Sequence, residues 1–491
     1  MLLIADSFSS PARPVIHGRF GAVSAAHPIA VAAALSVLND GGTAADAAIA
    51  AQAVLCVLSP DACGLGGDML ALVHAPGAPI AAINGTGAAP RALAQVADDG
   101  ANSVTTPGIV DAWCTLARLH GRLPLARTLT PAIRLAREGM RVSPALSATL
   151  SRYRERLMRG GAGAWALFDA PPGALIRQPA LADLLERVGA EGGRAFYQGD
   201  TAGAIARAVR SLGGALSETD LAEHATVLAA PIETPWDGVT LATQPPMAQG
   251  VLLSMAAQAL ERLAAAGTPL EDHLAVEITN AAFAHRDAVA RGAELLAEEL
   301  RIDAGHASNR GGPRAYLHTA GVATADADGC VVSSLVSVFD DFGSCVFVPE
   351  LGLTLNNRAG GFTQGANAAA PGKRPVHTLA PIMLTSPQGV LALATPGADG
   401  QVQTLLQVLL SLKAGTDLAS AIARPRWRSE DGGLLVEARH AGLSRLRALG
   451  HRVMPCADGE LRFGAVVSAG CLDGEPVAAA DWRRETACGA V

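Results

Sequence analysis

The sequence contains no Cys-x-x-Cys pair, no run of basic residues and no stretch of about 18 residues free of polar groups. Each absence removes a class of function. Without paired thiolate ligands, the eight cysteines read as buried apolar fillers, and no metal or cofactor is expected. Without a basic stripe, and with a net charge of −7 and a pI near 6.0, nucleic acid is not an expected partner. Without an apolar run of spanning length, a membrane is not one either. The opening MLLIADSFSS has no positively charged region and only about four apolar residues in a row, so no secretory signal is expected. The cytoplasm is the expected location.

What remains is a chain of 491 residues, half of them hydrophobic and only 17% charged. That length allows one large domain or two to three ordinary ones, and the composition suits close packing rather than disorder. Residues 22–58 hold two Ala-rich helical segments around Asn39-Asp40-Gly41-Gly42, a cap and turn. Helices are also expected at 129–138, 179–188, 273–291, 401–413 and 443–449, and residues 244–260 lead from a Pro-Pro turn into another. Short apolar runs at 69–73, 80–83, 226–243, 322–324, 330–338, 345–348, 353–355, 382–384 and 390–394 read as strands between turns. Residues 295–317 are polar, Gly-rich and fit neither pattern. Strands between helical layers imply an α/β sandwich folded as a unit.

The segment running from His318-Thr319-Ala320-Gly321 to Asp326-Ala327-Asp328-Gly329 is a polar loop entering a strand and an Asp-Gly turn. Alone it is compatible with a surface hairpin. Its context is more specific. Gly41-Gly42-Thr43-Ala44-Ala45-Asp46 precedes Gly64-Leu65-Gly66-Gly67-Asp68. Leu123-Pro124, Pro131 to Ala136 and Val142-Ser143-Pro144 follow. Phe196 to Gly199, Gln244-Pro245-Pro246 to Gln249-Gly250 and His285-Arg286-Asp287 come next. Beyond Thr319 stand Leu355-Asn356-Asn357, Pro371 to Pro375 and Thr395-Pro396-Gly397. In this order and spacing the chain resembles the γ-glutamyltransferase family.

The resemblance implies a four-layer αββα sandwich of the N-terminal-nucleophile hydrolase type. It implies a precursor that cuts itself before Thr319, giving a large subunit of residues 1–318 and a small subunit of residues 319–491, intertwined in one domain. The freed Thr319 would be the catalytic nucleophile. A Thr hydroxyl needs an adjacent base, and a new α-amino group with an unperturbed pKa of roughly 7.7–8.0 supplies one on the same residue. Backbone N–H groups of Gly397 and Ala398 would form the oxyanion hole. The family usually has two glycines there, and Ala398 can serve if its φ stays negative. Ser337 matches a hydroxyl residue that supports the nucleophile.

The departures concern the substrate. Thr86 stands where γ-glutamyl enzymes carry an Arg for the substrate α-carboxylate. Asn356-Asn357 leads into Arg358-Ala359-Gly360-Gly361 without the acidic residue that holds the α-amino group, and His377-Thr378 replaces a pair of serines. A charge-assisted contact is worth about 1.5–3 kcal/mol, so losing two removes most selectivity for a γ-glutamyl head group. Arg358, His377 and Thr378 then line an altered pocket, with Arg358 able to clamp a carboxylate. The expected partner is a small-molecule amide, either γ-glutamyl (glutathione-like) or a small acidic amide such as oxamate. A non-catalytic relative acting as a binding protein is the alternative. A nucleotide site at Gly64 to Asp68 ranks last, because that loop has neither the dinucleotide fingerprint nor a phosphate-loop Lys. No GxSxG elbow is present.

Overall fold

The computed structural model describes residues 13–310 and 319–491. The opening segment and His318 lie outside the described residues. Two seven-stranded antiparallel sheets form the centre. Across the first, the strands run Ala487–Ala490, Gly21–Ala25, Ala320–Asp326, Val331–Ser337, Asp68–His74, Ala81–Gly85 and Val227–Ala229. Across the second they run Ile16–His17, Glu475–Ala480, Val467–Leu472, Gly389–Ala394, Ile382–Ser386, Val239–Thr243 and Ile232–Trp236.

The sheets stack through small side chains. Ala22, Ala323 and Ala325 of the first sheet meet Ala392, Val467 and Ala469 of the second in one buried layer. The alternate residues of the same strands, such as Val322 and Val332, face a helical layer with Ala44–Leu58 at its centre. A second helical layer, including Gly250–Ala265, Asp272–Phe283 and Gly400–Lys413, covers the other sheet. The architecture is the four-layer αββα sandwich.

Helix Ala44–Leu58 is buried on every side, which explains its seven alanines: it lies between a sheet and an outer helical layer with little room for larger residues. Its start is fixed by a capping box in which Thr43 and Asp46 satisfy one another's backbone N–H groups. Asp46 Oδ2 also accepts from the backbone of Arg122 at 2.8 Å and Leu123 at 3.2 Å, tying the next helical segment to this one.

Two helix expectations shift. The helix expected from residue 129 runs Leu125–Glu138, continuing through Pro131 because its face of Thr128, Leu129, Ala132 and Ala136 is held in the core. The single helix expected over 273–291 ends at Phe283 and is followed by 3₁₀ turns over Arg286–Ala297, where Gly292 at φ +56° breaks the ladder.

Replacing Asp46 by Ala strips an acceptor from three backbone N–H groups at once. Asp46→Ala is therefore expected to lower stability by about 2–4 kcal/mol in urea unfolding, and Asp46→Asn by less.

Candidate active site

Strand register brings the first three polar groups together. Strand Ala320–Asp326 pairs with Val331–Ser337 so that Ala320 faces Val336, which sets Thr319 across from Ser337. Ser337 in turn lies opposite Asp68 on the next strand. Ala323, Leu335 and Leu70 all face the second sheet. By the two-residue alternation of a strand, Thr319, Ser337 and Asp68 present their side chains to that same face, at one end of the sandwich. Thr319 Oγ1 donates to Ser337 Oγ at 3.4 Å, and Ser337 Oγ also accepts from the Phe339 N–H at 2.9 Å. Thr319 is buried but borders a cavity of about 140 Å³, lined by His27, Ser59, Arg141, Ser143 and Pro396 among others.

The Gly64 to Asp68 loop shows why two of its glycines are needed. A Cβ on Gly66 would sit 2.1 Å from the Thr354 carbonyl oxygen, and one on Gly67 would sit 2.4 Å from that of Ser337. Backbone packs on backbone here, so the loop can deliver Asp68 directly behind Ser337.

Asp68 is fully buried and is the hub of the site. Arg358 Nε donates to its Oδ2 at 3.0 Å, His377 Nε2 to the same oxygen at 3.3 Å, and the Gly87 N–H to Oδ1 at 3.3 Å. The Leu379 N–H donates to His377 Nδ1 at 3.2 Å, which fixes the proton of a neutral ring on Nε2. Burial pushes the Asp68 carboxyl up, but the His377 hydrogen bond and the Arg358 charge outweigh it and hold it below the usual carboxylate range. Burial and the Arg358 charge, opposed by Asp68, bring the His377 imidazole down to about 4. The His377–Asp68 contact is therefore a hydrogen bond from a neutral ring and not an ion pair at neutral pH.

Arg358 stands on a 3₁₀ turn, Arg358–Gly361, whose first N–H donates to Asn356 Oδ1 at 3.0 Å. Burial lowers its pKa and Asp68 opposes that shift. The guanidinium lies 4.4 Å over the Phe339 ring. Its Nη1 and Nη2 are buried with no hydrogen-bond partner among the described residues.

Thr86 and Thr378 fall in the same neighbourhood. The Thr86 hydroxyl donates to Asn84 Oδ1 at 2.7 Å, so it is engaged within the protein. Gln249, which sequence reasoning treated only as part of a motif, joins two segments: its Nε2 donates to the Thr378 carbonyl at 2.6 Å and to the Ala398 carbonyl at 3.0 Å. Asp68 was likewise legible only as the end of a Gly-rich loop.

Gly397 and Ala398 connect strand Gly389–Ala394 to helix Gly400–Lys413. Neither amide N–H donates to another described residue, and both lie at the N-terminal, electropositive end of a buried helix. The condition of a negative φ is not met at Ala398: its φ is +48°, beside Gly397 at +125°, yet its N–H is left without an acceptor among the described residues. The turn is over-determined, because the Ala398 carbonyl is held by both Gln249 Nε2 and the Gln401 N–H, the latter at 3.1 Å. Holding an Ala in that conformation costs about 1 kcal/mol.

Two outcomes follow from these shifts and angles. Ala398→Gly relieves the left-handed strain but adds unfolded-state freedom, so it should change unfolding free energy by less than about 1 kcal/mol, whereas Ala398→Val should lose more than that. For His377, the folded ring refuses a proton that the unfolded ring accepts below its ordinary pKa of 6.5. Stability should thus fall by about 3 kcal/mol as pH drops from 6.5 toward 4, and His377→Asn should flatten that slope in urea unfolding. The Asp68 contribution has the opposite partner, a depressed carboxylate. It is present above the ordinary carboxylate pKa and is lost only as pH falls through the depressed one.

Comparison with known proteins fits this geometry. The model of the gamma-glutamyltranspeptidase family matches residues 30–491. The chain is 33% identical to the oxamate amidohydrolase proenzyme of Klebsiella pneumoniae, over 89% of this chain and 92% of that protein. It is 31% identical to the acylase ACY 1 proenzyme of a Pseudomonas species, over 97% of this chain and 96% of that protein. The crystal structure of a cephalosporin acylase from Bacillus halodurans superposes with a TM-score of 0.89 at 27% identity, covering 100% of this chain and 99% of the other. This chain is an enzyme belonging to the γ-glutamyltranspeptidase family, within the N-terminal-nucleophile hydrolases.

Proposed function

We propose that the chain is made as a precursor, is cut between His318 and Thr319, and then uses Thr319 to hydrolyse a small amide whose acyl part carries a carboxylate, oxamate being the model case. The observation that carries the substrate half is the Arg358 guanidinium. It is buried beside Asp68, and two of its nitrogens have no partner among the described residues. Buried donors without acceptors are costly, and a carboxylate that meets both in a fork removes that cost. Asp68 holds Arg358 through Nε and is itself held by His377, while Thr86 is turned toward Asn84 and contributes shape rather than a charge. The name of the Klebsiella relative, an oxamate amidohydrolase, supports the same substrate class.

In the reaction, the Thr319 α-amine takes the proton from Oγ1 as that oxygen attacks the amide carbon. The carbonyl oxygen becomes an oxyanion facing the Gly397 and Ala398 N–H groups. The C–N bond breaks, and ammonia leaves with the transferred proton. Water then attacks the Thr319 ester, and an oxalate product departs, so that oxamate and water yield oxalate and ammonium. An amine in place of water would give acyl transfer.

The test joins processing to substrate choice. Intact masses and N-terminal sequencing should show fragments of roughly 32 and 18 kDa, the smaller beginning Thr-Ala-Gly-Val, while Thr319→Ala stays whole. The processed enzyme should turn over oxamate in preference to a γ-glutamyl anilide. Arg358→Lys keeps a cation beside Asp68 but removes the fork, and should lower kcat/KM for oxamate by about 10-fold or more. Turnover of the anilide alone would refute the substrate half, and a chain that never divides would refute the nucleophile.

A further inference from the structure

A second polar cluster lies in the outer helical layer. Helix Asp272–Phe283 carries His273 and Glu277 one turn apart on one face, and His451, just after helix Leu443–Ala448, meets them. All three are buried. His273 Nδ1 and His451 Nε2 are 2.7 Å apart, although 178 residues separate them in sequence. One donor atom from each of the three residues lies within 4.8 Å of the others.

The proton positions can be worked out. His273 Nε2 faces the Asp303 carbonyl at 3.0 Å. A carbonyl only accepts, so Nε2 holds the ring proton and Nδ1 turns a lone pair toward His451. Glu277 accepts from the Ser308 N–H at 3.0 Å, and among the described residues no Lys or Arg pairs with it. A buried carboxylate with no counter-charge is an expensive arrangement, and a bound cation is one of the few ways to relieve it. The Ser308 hydroxyl beside it is also buried without a hydrogen-bond partner among the described residues.

We propose that His273, Glu277 and His451 bind one divalent transition-metal ion of the zinc class. Two imidazoles and a carboxylate are a donor set that suits zinc and its neighbours. The Asp303 carbonyl is the outer partner that fixes a ligating His in the right tautomer. Tetrahedral bonds of roughly 2.0–2.1 Å space the donors about 3.3 Å apart, so the two rings separate slightly from their 2.7 Å contact as the carboxylate closes in. A cavity of about 370 Å³ borders His273 on one side of the cluster. Water, next to the Ser308 hydroxyl, completes the fourth position. The missing Cys-x-x-Cys pair excluded thiolate sites only; a His-Glu-His set assembled from distant segments leaves no spacing to read. His273 and Glu277 precede residue 319 and His451 follows it, so the ion fastens together the segments on either side of that residue. This inference does not depend on the substrate proposed above.

The full-length protein, stripped by dialysis against a chelator, is titrated with Co²⁺ and with Zn²⁺. One equivalent should bind, Co²⁺ should give the strong visible absorption of a low-coordinate N/O site, and Zn²⁺ should raise the unfolding temperature. His451→Ala and Glu277→Gln should each weaken binding about tenfold or more. Absence of binding at about 100 μM free Zn²⁺, or unchanged binding in both variants, overturns the proposal. Should circular dichroism show either variant unfolded, X-ray absorption of the zinc-loaded native protein decides: a shell of two imidazoles and oxygen supports the site, and one containing sulfur overturns it.

Discussion

A carboxylate with no access to water sets the terms for the whole site. Asp68 can stay ionised in the interior only because Arg358, His377 and the Gly87 amide converge on its two oxygens. Those three donors come from separate parts of the chain, and each is held by its own backbone contacts. Satisfying one buried charge therefore fixes the Arg358 turn, the His377-Thr378 segment and the loop after strand Ala81–Gly85 relative to the strands that carry Thr319 and Ser337. Removing any one of the donors leaves the others organised around a charge that they no longer balance.

The sheets do the rest by geometry. Three neighbouring strands place Thr319, Ser337 and Asp68 in a row, and the second sheet supplies the Gly397-Ala398 turn from above. The two sheets can approach closely because the layer between them is mostly alanine, valine and leucine. Gly321 is part of the same economy of space, since a Cβ there would lie 2.9 Å from Val467. Bringing Thr319 on one sheet close to the Gly397-Ala398 turn that follows a strand of the other needs this thin interior, and the Ala-rich composition meets that need.

Much of this was readable beforehand, and the limits have physical causes. An α/β sandwich followed from strands set between helical runs, its four αββα layers came only with the family resemblance, and the family motifs named Thr319, Ser337, Gly397 and Ala398 as candidates. The Asp68–Arg358 pair spans 290 residues, and no local pattern announces it. Gln249 acts through a side-chain amide on two carbonyls, a role for which sequence offers no period or spacing. The positive φ of Ala398 has no signal in the sequence, because the turn is imposed by its hydrogen-bonded carbonyl rather than by residue type. The helix expected over 129–138 starts instead at Leu125, directly after Pro124, because Thr128 and Leu129 of its early turns are held in the core with Ala132 and Ala136. Local signals gave element types well and failed where tertiary contacts set the backbone.

The order of strands has a consequence for how the protein can come apart. In both sheets, strands from before residue 319 pair directly with strands from after it: Gly21–Ala25 with Ala320–Asp326, Asp68–His74 with Val331–Ser337, and Val239–Thr243 with Ile382–Ser386. Under the proposed cut ahead of Thr319, the two pieces would have no small interface to open, and dissociation and global unfolding would be the same event. Loss of structure would then be bimolecular in reverse, so recovery after heating depends on concentration and the protein's durability is governed by a rate of opening rather than by an equilibrium within one chain.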